Sequence, residues 1–243
     1  MGTVASIHVH DAAPARVVDE AIGRVFDELE RLEAVFSTFR PDSQISRVNR
    51  GELDLLDCDR EVIEVLDACT WLEHVSGGAF VVRRPHEPER LDPAGFVKGW
   101  AAERAARFLD DAGLEHWCVS VGGDLVTRGR PAPDEIWKVG IADPFQTGQA
   151  IARLDIVSGA VATSGTSERG LHIWDGRDGS AADDLVAVTV TGPTLAWADA
   201  FATTVFAMGG SGLAWLAAFD DYDAFVVHRD GSIVAGPGIV CSA

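Results

Sequence analysis

The residues best placed to do chemistry lie in TLAWADAFATTVFAMG, residues 194–209, a stretch with the apolar content of a buried helix and a single carboxylate, Asp199. Thr203 follows four residues later, so on a helix the two side chains share one face and can reach one ligand. An unpaired buried carboxylate is costly, and Asp199 therefore needs a cation, hydrogen-bond donors or water. A hard divalent cation suits a carboxylate, a hydroxyl and backbone oxygens, and Mg²⁺ is the usual one where phosphates are handled. A solvated helix face, or a cap on a neighbouring segment, would account for the acid equally well.

Three other stretches carry chemical potential. LDPAGFVKGWAAERAARFL (91–109) leads two glycines, Gly95 and Gly99, into a helix whose N-terminus attracts anions. Lys98 adds a positive charge there, in a chain whose only other lysine is Lys138. An ordinary loop and helix with a surface lysine reads the same way. SVGGDL (120–125) sets Gly122, Gly123 and Asp124 at the end of a strand, which suits a ligand lying on backbone or a plain tight turn. VATSGTSERGLHIWDGRDG (161–179) reads as a polar loop rich in hydroxyls, with His172 as a proton shuttle or a structural histidine. The chain has no Walker A or G-x-G-x-x-G pattern and no G-x-S-x-G elbow, so neither a P-loop nor a serine-hydrolase site is indicated. Together the four stretches can converge on a site for phosphates plus Mg²⁺.

The elements that must position these residues follow from periodicity. Val18, Ile22, Val25, Leu29, Leu32 and Phe36 step by three or four and predict a helix over 15–36. Further helices are expected over 59–76, stopped by Gly77-Gly78, and over 96–112, stopped by Gly113, with a short one near 213–219. Alternation predicts strands at 3–10, 116–121, 136–142, 151–157, 185–191 and 222–228, while 37–51 reads as polar and turn-rich. Helices and strands are mixed without βαβ regularity, which implies one α+β domain over 1–243, with room for two lobes.

Composition bounds the partners. With 20 basic and 38 acidic residues the formal charge is −18, which repels phosphate backbones and anionic membranes and argues against nucleic-acid binding. No apolar run reaches transmembrane length. Cys58, Cys69, Cys118 and Cys241 form no C-x-x-C pair and read as mostly buried thiols. Met1 leads straight into a strand-like segment, so a cytoplasmic location is expected; an exported chain trimmed of its signal would read identically.

In order along the chain, these motifs resemble the FAD:protein FMN transferase (ApbE) family. MGTVASI is similar to the family's M-G-T-x-x-S-I, and FSTFRPDSQISRVNRGE to its S-T-[YF]-x-P-x-S-E-[IL]-S-x-[LI]-N. LDPAGFVKGWAAERAARFL resembles D-L-G-G-I-A-K-G-Y-A-x-D-x-A, VSVGGDL resembles N-x-G-G-D-[IL], and VATSG with LHIWDGRDG resembles A-T-S-G with H-I-[IL]-D-P-x-T-G. TVTGPTLAWADAFATTVFAMG is similar to the family's A-D-A-L-A-T-A segment. The chain departs from the pattern at VVRRPHEPER (81–90), which replaces a long segment walling one side of the flavin cleft, at HIWDG in place of H-I-I-D-P, and at Trp100 in place of tyrosine.

The resemblance implies a Mg²⁺-dependent enzyme that splits FAD and moves FMN onto a Thr or Ser of a target flavoprotein, releasing AMP. Hydrolysis of FAD to FMN and AMP, or flavin binding without turnover, are the alternatives. It implies that Asp199, Thr203 and the backbone oxygen of Gly95 hold the metal. Asp92 and Lys98 would contact the dinucleotide, while Met1, Thr38, Gly122, Gly123 and Asp124 would line the FAD cleft. Ser164, Gly165 and His172 would lie beside the flavin and phosphates. His172 or Asp199 would act as the base.

Overall fold

The computed structural model describes residues 3–166, 173–237 and 239. The chain opens with β1 (Ala5–Val9), then α1 (Ala15–Phe36), α2 (Gln44–Asn49) and α3 (Arg60–Val75). A short hairpin, β2 (Arg83–Arg84) and β3 (Glu87–Leu91), leads into α4 (Ala94–Asp111). Then come β4 (Trp117–Val121), β5 (Asp124–Arg128), β6 (Trp137–Ala142), β7 (Ala150–Ile156), β8 (Gly159–Gly165) and β9 (Leu185–Gly192). The chain continues through α5 (Leu195–Met208), α6 (Gly212–Leu216), β10 (Asp223–His228) and β11 (Ile233–Ala235).

The fold is mixed α/β, built on one antiparallel seven-stranded sheet in the order β1-β4-β5-β8-β9-β10-β11. One face of this sheet carries α1, α4 and α5. Their apolar stripes (Val25, Leu29 and Leu32 of α1; Ala102, Ala105 and Leu109 of α4; Phe201, Val205 and Phe206 of α5) join Val119, Val126, Val188 and Val190 in the main core. The β6–β7 hairpin covers part of the other face, where Ile141, Ala152 and Leu154 meet Val161, Ala187, Phe225 and Val227. β8 and β9 are thus covered on both faces, and α5 is buried nearly all round, as a core helix must be.

The strands β2, β3, β5 and β11 were not expected from the sequence, and two further segments differ from its reading. VATSG is not loop but the end of β8, a central strand whose Ser164 and Thr163 pair across to Val188 and Thr189. Its short side chains carry little alternation to reveal it. The segment 37–51 contains α2, started by the Ser43 hydroxyl, which accepts the Ser46 N–H at 3.0 Å. The Gly122-Gly123 turn closes the β4–β5 hairpin with φ of 60° and 88°, a conformation two consecutive glycines adopt without steric cost. Among the described residues no helix is long and apolar enough to cross a membrane. Cys69 is a buried thiol, its pKa pushed up to about 12 by burial; Cys58 and Cys118 are only half-buried, and Cys241 lies outside the described residues.

An ion-pair cluster ties the helices together on their outer side. Arg31 and Arg104 both reach Glu28 and Glu61, at 2.8 to 3.2 Å, joining α1, α3 and α4. The hydrogen bond from Arg31 holds the Glu28 carboxyl below its ordinary value. A carboxyl lowered by folding adds stability above its unfolded pKa and loses it as pH falls through the folded one. Arg31→Met is therefore expected to lower stability by about 0.5 kcal/mol at neutral pH and above, read by denaturant unfolding followed by circular dichroism, with the difference shrinking as pH falls through the carboxylate range.

Candidate functional site

The contacts converge where α4 and α5 cross the ends of β5 and β8. α4 can approach α5 closely because Gly99 faces it: a Cβ there would stand 2.7 Å from the Asp199 Cβ and against the Leu195 carbonyl oxygen. In that close approach the Gly99 N–H donates to Asp199 Oδ2 at 2.8 Å. Asp199 is 2% exposed, so the acid lies inside the helix pair and not on a wet face.

Lys98 reaches the same point from α4. Its Nζ stands 2.5 Å from Asp124 Oδ2 and 3.5 Å from Asp199 Oδ1, so the lysine turns inward between two acids. Asp124, 1% exposed, accepts the Thr163 N–H on Oδ1 at 2.9 Å. Its Oδ2 has no aligned hydrogen-bond donor, so the contact with Lys98 is ionic in character. Burial pushes both carboxyl groups above their ordinary values: for Asp124 the Asp199 charge adds to the shift, and for Asp199 the Lys98 charge opposes it. Burial works against the Lys98 ammonium, yet the two carboxylates outweigh it and hold its pKa above the usual value.

One turn along α5, Thr203 Oγ1 lies 3.1 Å from Ser164 Oγ at the end of β8. Gly95 abuts the same threonine, since a Cβ at Gly95 would stand 3.2 Å from Thr203 Cγ2 and 3.0 Å from the Phe80 ring. These contacts bring Gly95, Lys98, Asp124, Ser164, Asp199 and Thr203 into one cluster. Gly122 and Gly123 form the turn before Asp124, with Thr3 packed over Gly122, and Gly165 closes β8 against Val186 and Ala187. Met1 and His172 lie outside the described residues.

Two expected residues sit apart from the cluster. Thr38 is half-buried on the 37–43 loop, where the Ser43 and Ser46 hydroxyls both donate to the Ser37 carbonyl. Asp92 stands before α4 with Oδ2 held by Arg84 Nε and Nη2, at 3.0 and 2.7 Å. Arg84 belongs to the β2–β3 hairpin that occupies the shortened segment. This hairpin packs against the 173–181 loop: His86 meets Trp174 edge-on with ring centroids 5.2 Å apart, and Pro85 lies beside Gly179. The short segment is therefore folded back onto that loop.

Periodicity did not reveal the donors that fix the acids, the Gly99 and Thr163 N–H groups, or the double pairing of Lys98. A lysine between Val97 and Gly99, in a chain with only one other lysine, was the one available signal.

The arrangement offers hard oxygen ligands, one inward cation and two buried acids. The ApbE family model matches residues 1–84 and 81–226, two pieces that meet at the β2–β3 hairpin. The FAD:protein FMN transferase of Treponema pallidum is 27% identical over 311 aligned residues, covering 99% of this chain and 86% of that protein. The FAD:protein FMN transferase of Escherichia coli K12 is 30% identical over 168 residues, 62% of this chain and 47% of that protein. In structure, the flavin transferase ApbE from Vibrio cholerae superposes with a TM-score of 0.79 at 22% identity, covering 98% of this chain and 95% of that one. The ApbE protein of Thermotoga maritima gives 0.80 at 21% identity, with 97% and 94% covered. These two share the fold.

Proposed function

The chain belongs to the ApbE family, and we propose that it is an FAD:protein FMN transferase that moves FMN from FAD onto a Thr or Ser of a target flavoprotein with the help of Mg²⁺. The observation that carries this reading is the convergence of Asp199, Thr203 and Gly95 beside a buried cluster in which two acids face one lysine. The chemistry of these donors fits a magnesium ion. Among the described residues no group of three or more His, Cys, Asp or Glu could hold a metal, so a cation here would draw on one carboxylate, a hydroxyl, a backbone oxygen and the phosphates of its substrate. Asp199 Oδ1, Thr203 Oγ1 and the Gly95 carbonyl oxygen are the proposed ligands. Bound there, the ion would offset charge on the non-bridging oxygens of the pyrophosphate.

The remaining roles belong to the chain's own groups. The acceptor hydroxyl oxygen forms a bond to the phosphorus of the FMN half of FAD, the bridging P–O bond breaks, and AMP leaves with that oxygen. In-line geometry requires the pyrophosphate to be held still, which the α4 N-terminus, Lys98 and the Ser164 hydroxyl can do from three sides. The hydroxyl proton goes to a base. His172 and Asp199 are the two candidates, and the burial that raises the Asp199 carboxyl also makes it a stronger base than an exposed aspartate. Gly122, Gly123, Asp124, Gly165, Thr38 and Met1 are assigned to the cleft and Asp92 to the dinucleotide. Working as one domain, the chain needs FAD and an acceptor flavoprotein and nothing nucleic; the free thiols at Cys58, Cys69 and Cys118 suit a reducing compartment such as the cytoplasm.

Incubation with FAD, Mg²⁺ and candidate acceptors, followed by intact-mass spectrometry, tests the reading. The expected result is an acceptor heavier by one FMN, with one AMP released per adduct and no adduct in excess chelator. FMN and AMP formed without any adduct would make the chain an FAD pyrophosphatase. Tight FAD binding without turnover would make it a flavin-binding protein.

A further inference from the structure

The buried end of the site holds two carboxylates and one ammonium, and each carboxylate is pinned in the same way. Asp199 gives Oδ2 to the Gly99 N–H and Asp124 gives Oδ1 to the Thr163 N–H, leaving one oxygen of each to face Lys98. The lysine does not sit midway. It is seated on Asp124 at 2.5 Å and touches Asp199 at 3.5 Å. With both carboxylates ionised the cluster carries one excess negative charge on two almost wholly buried acids, a costly state that favours a further cation.

We propose that Lys98 is an exchangeable counter-ion for Asp199, displaced from it when a divalent cation binds, and that Asp124 is the positioning residue that keeps Lys98 afterwards. The proposal rests on the Mg²⁺-dependent reading above. Asp199 Oδ1 is the oxygen that changes partner, because Oδ2 is fixed by the backbone and Thr203 lies on the same face one turn away. A divalent ion at Oδ1 repels the ammonium, and Asp124 is the seat to which it withdraws.

Charge then orders the loading. With Lys98 and a divalent ion both present, the cluster changes from one excess negative charge to one excess positive charge. The pyrophosphate of a nucleotide restores the balance. The cation alone is accordingly held weakly, and the cation and FAD bind in synergy, each raising the affinity of the other by the same factor. A site built so resists filling by a stray cation until the substrate arrives.

A double-mutant cycle on cation binding tests this, with Mn²⁺ as the probe ion counted by electron paramagnetic resonance in the absence of FAD. Lys98→Met is expected to bind Mn²⁺ about tenfold more tightly than the parent, and Asp124→Asn about tenfold more weakly because Asp199 then holds Lys98 one to one. In the Lys98→Met background, Asp124→Asn is expected to change the affinity by less than about threefold, since Asp124 acts through the lysine. Equal Asp124→Asn effects in both backgrounds would mean simple long-range attraction, and no change in Lys98→Met would mean no competition; either overturns the proposal. Should Lys98→Met fail to fold, Asp124→Asn decides: its Tm without cation holds or rises while Mn²⁺ binding weakens, and unchanged Mn²⁺ binding overturns the proposal. FMN transfer by the parent protein is measured alongside. A coupled cycle without transfer rejects the assigned activity only, and transfer with an additive cycle rejects the exchange only.

Discussion

Asp199→Ala is expected to lower FMN transfer at least about a thousandfold while the Tm moves by no more than about 3 °C. The loss of activity follows from geometry: the carboxylate is the only charged group among the proposed ligands, and Thr203 and the Gly95 oxygen cannot hold a hard cation alone. The small stability change follows from two opposed effects. Removing one acid leaves Lys98 and Asp124 paired one to one and takes away the Asp199 charge that helps to raise the Asp124 carboxyl. It also strands the buried Gly99 N–H, whose acceptor at 2.8 Å is gone, at a cost of about 1 to 3 kcal/mol. Asp199→Asn separates the two, because its amide oxygen can still accept from Gly99 but its charge is lost. The Tm should hold or rise while transfer stays down. Intact-mass kinetics and calorimetry on the same preparations supply both numbers, and Asp199→Ala retaining more than about a tenth of the parent rate would remove Asp199 from the mechanism.

Gly99→Ala carries the second large effect, and here stability and activity fall together. The added methyl meets the Leu195 carbonyl oxygen and comes to 2.7 Å from the Asp199 Cβ, both on the first turns of α5, so α4 and α5 must move apart. Overpacking against backbone costs about 3 kcal/mol, a Tm decrease of roughly 6 to 12 °C for a chain of this size. The same displacement lengthens the bond from the Gly99 N–H to Asp199 and misplaces the carboxylate, so transfer should fall about a hundredfold in the protein that remains folded. Gly95→Ala is the contrasting case. Its methyl meets side chains, the Phe80 ring at 3.0 Å and Thr203 Cγ2 at 3.2 Å, which can give by a few tenths of an ångström. A stability loss of about 1 kcal/mol is expected, with the Mg²⁺ requirement raised as the Thr203 hydroxyl tilts. Equal losses of Tm in the two variants, by differential scanning calorimetry, would show that the α4–α5 contact at Gly99 yields as readily as the side chains around Gly95.

Both predictions depend on contacts that periodicity cannot reach. α1 was legible over its full span because a 22-residue helix repeats its apolar stripe through six turns, and each step reinforces the period. α4 and α5 were legible for the same reason, to within two residues at their ends. β8 was not: Thr163 is the one strand-favouring residue among Ala162, Thr163, Ser164 and Gly165, and pairing with β5 and β9 on either side holds the strand extended. The β2–β3 hairpin was equally hidden, since RRPHEPER carries no alternation and its form is set by Arg84 clasping Asp92 and by His86 against Trp174.

What the sequence by itself determined is local: the long helices, most of the strands, the glycine turn at 122–123, and the placing of Asp199 and Thr203 on one helix face, because these follow from residue type and spacing within a few turns of chain. What only the tertiary structure decided is which charges meet. Lys98, Asp124 and Asp199 stand 26 and 75 residues apart in sequence and belong to α4, β5 and α5, so no period links them. Whether a lysine reaches solvent or two buried acids depends on how closely two helices pack, and that distance is fixed by the missing side chain of Gly99.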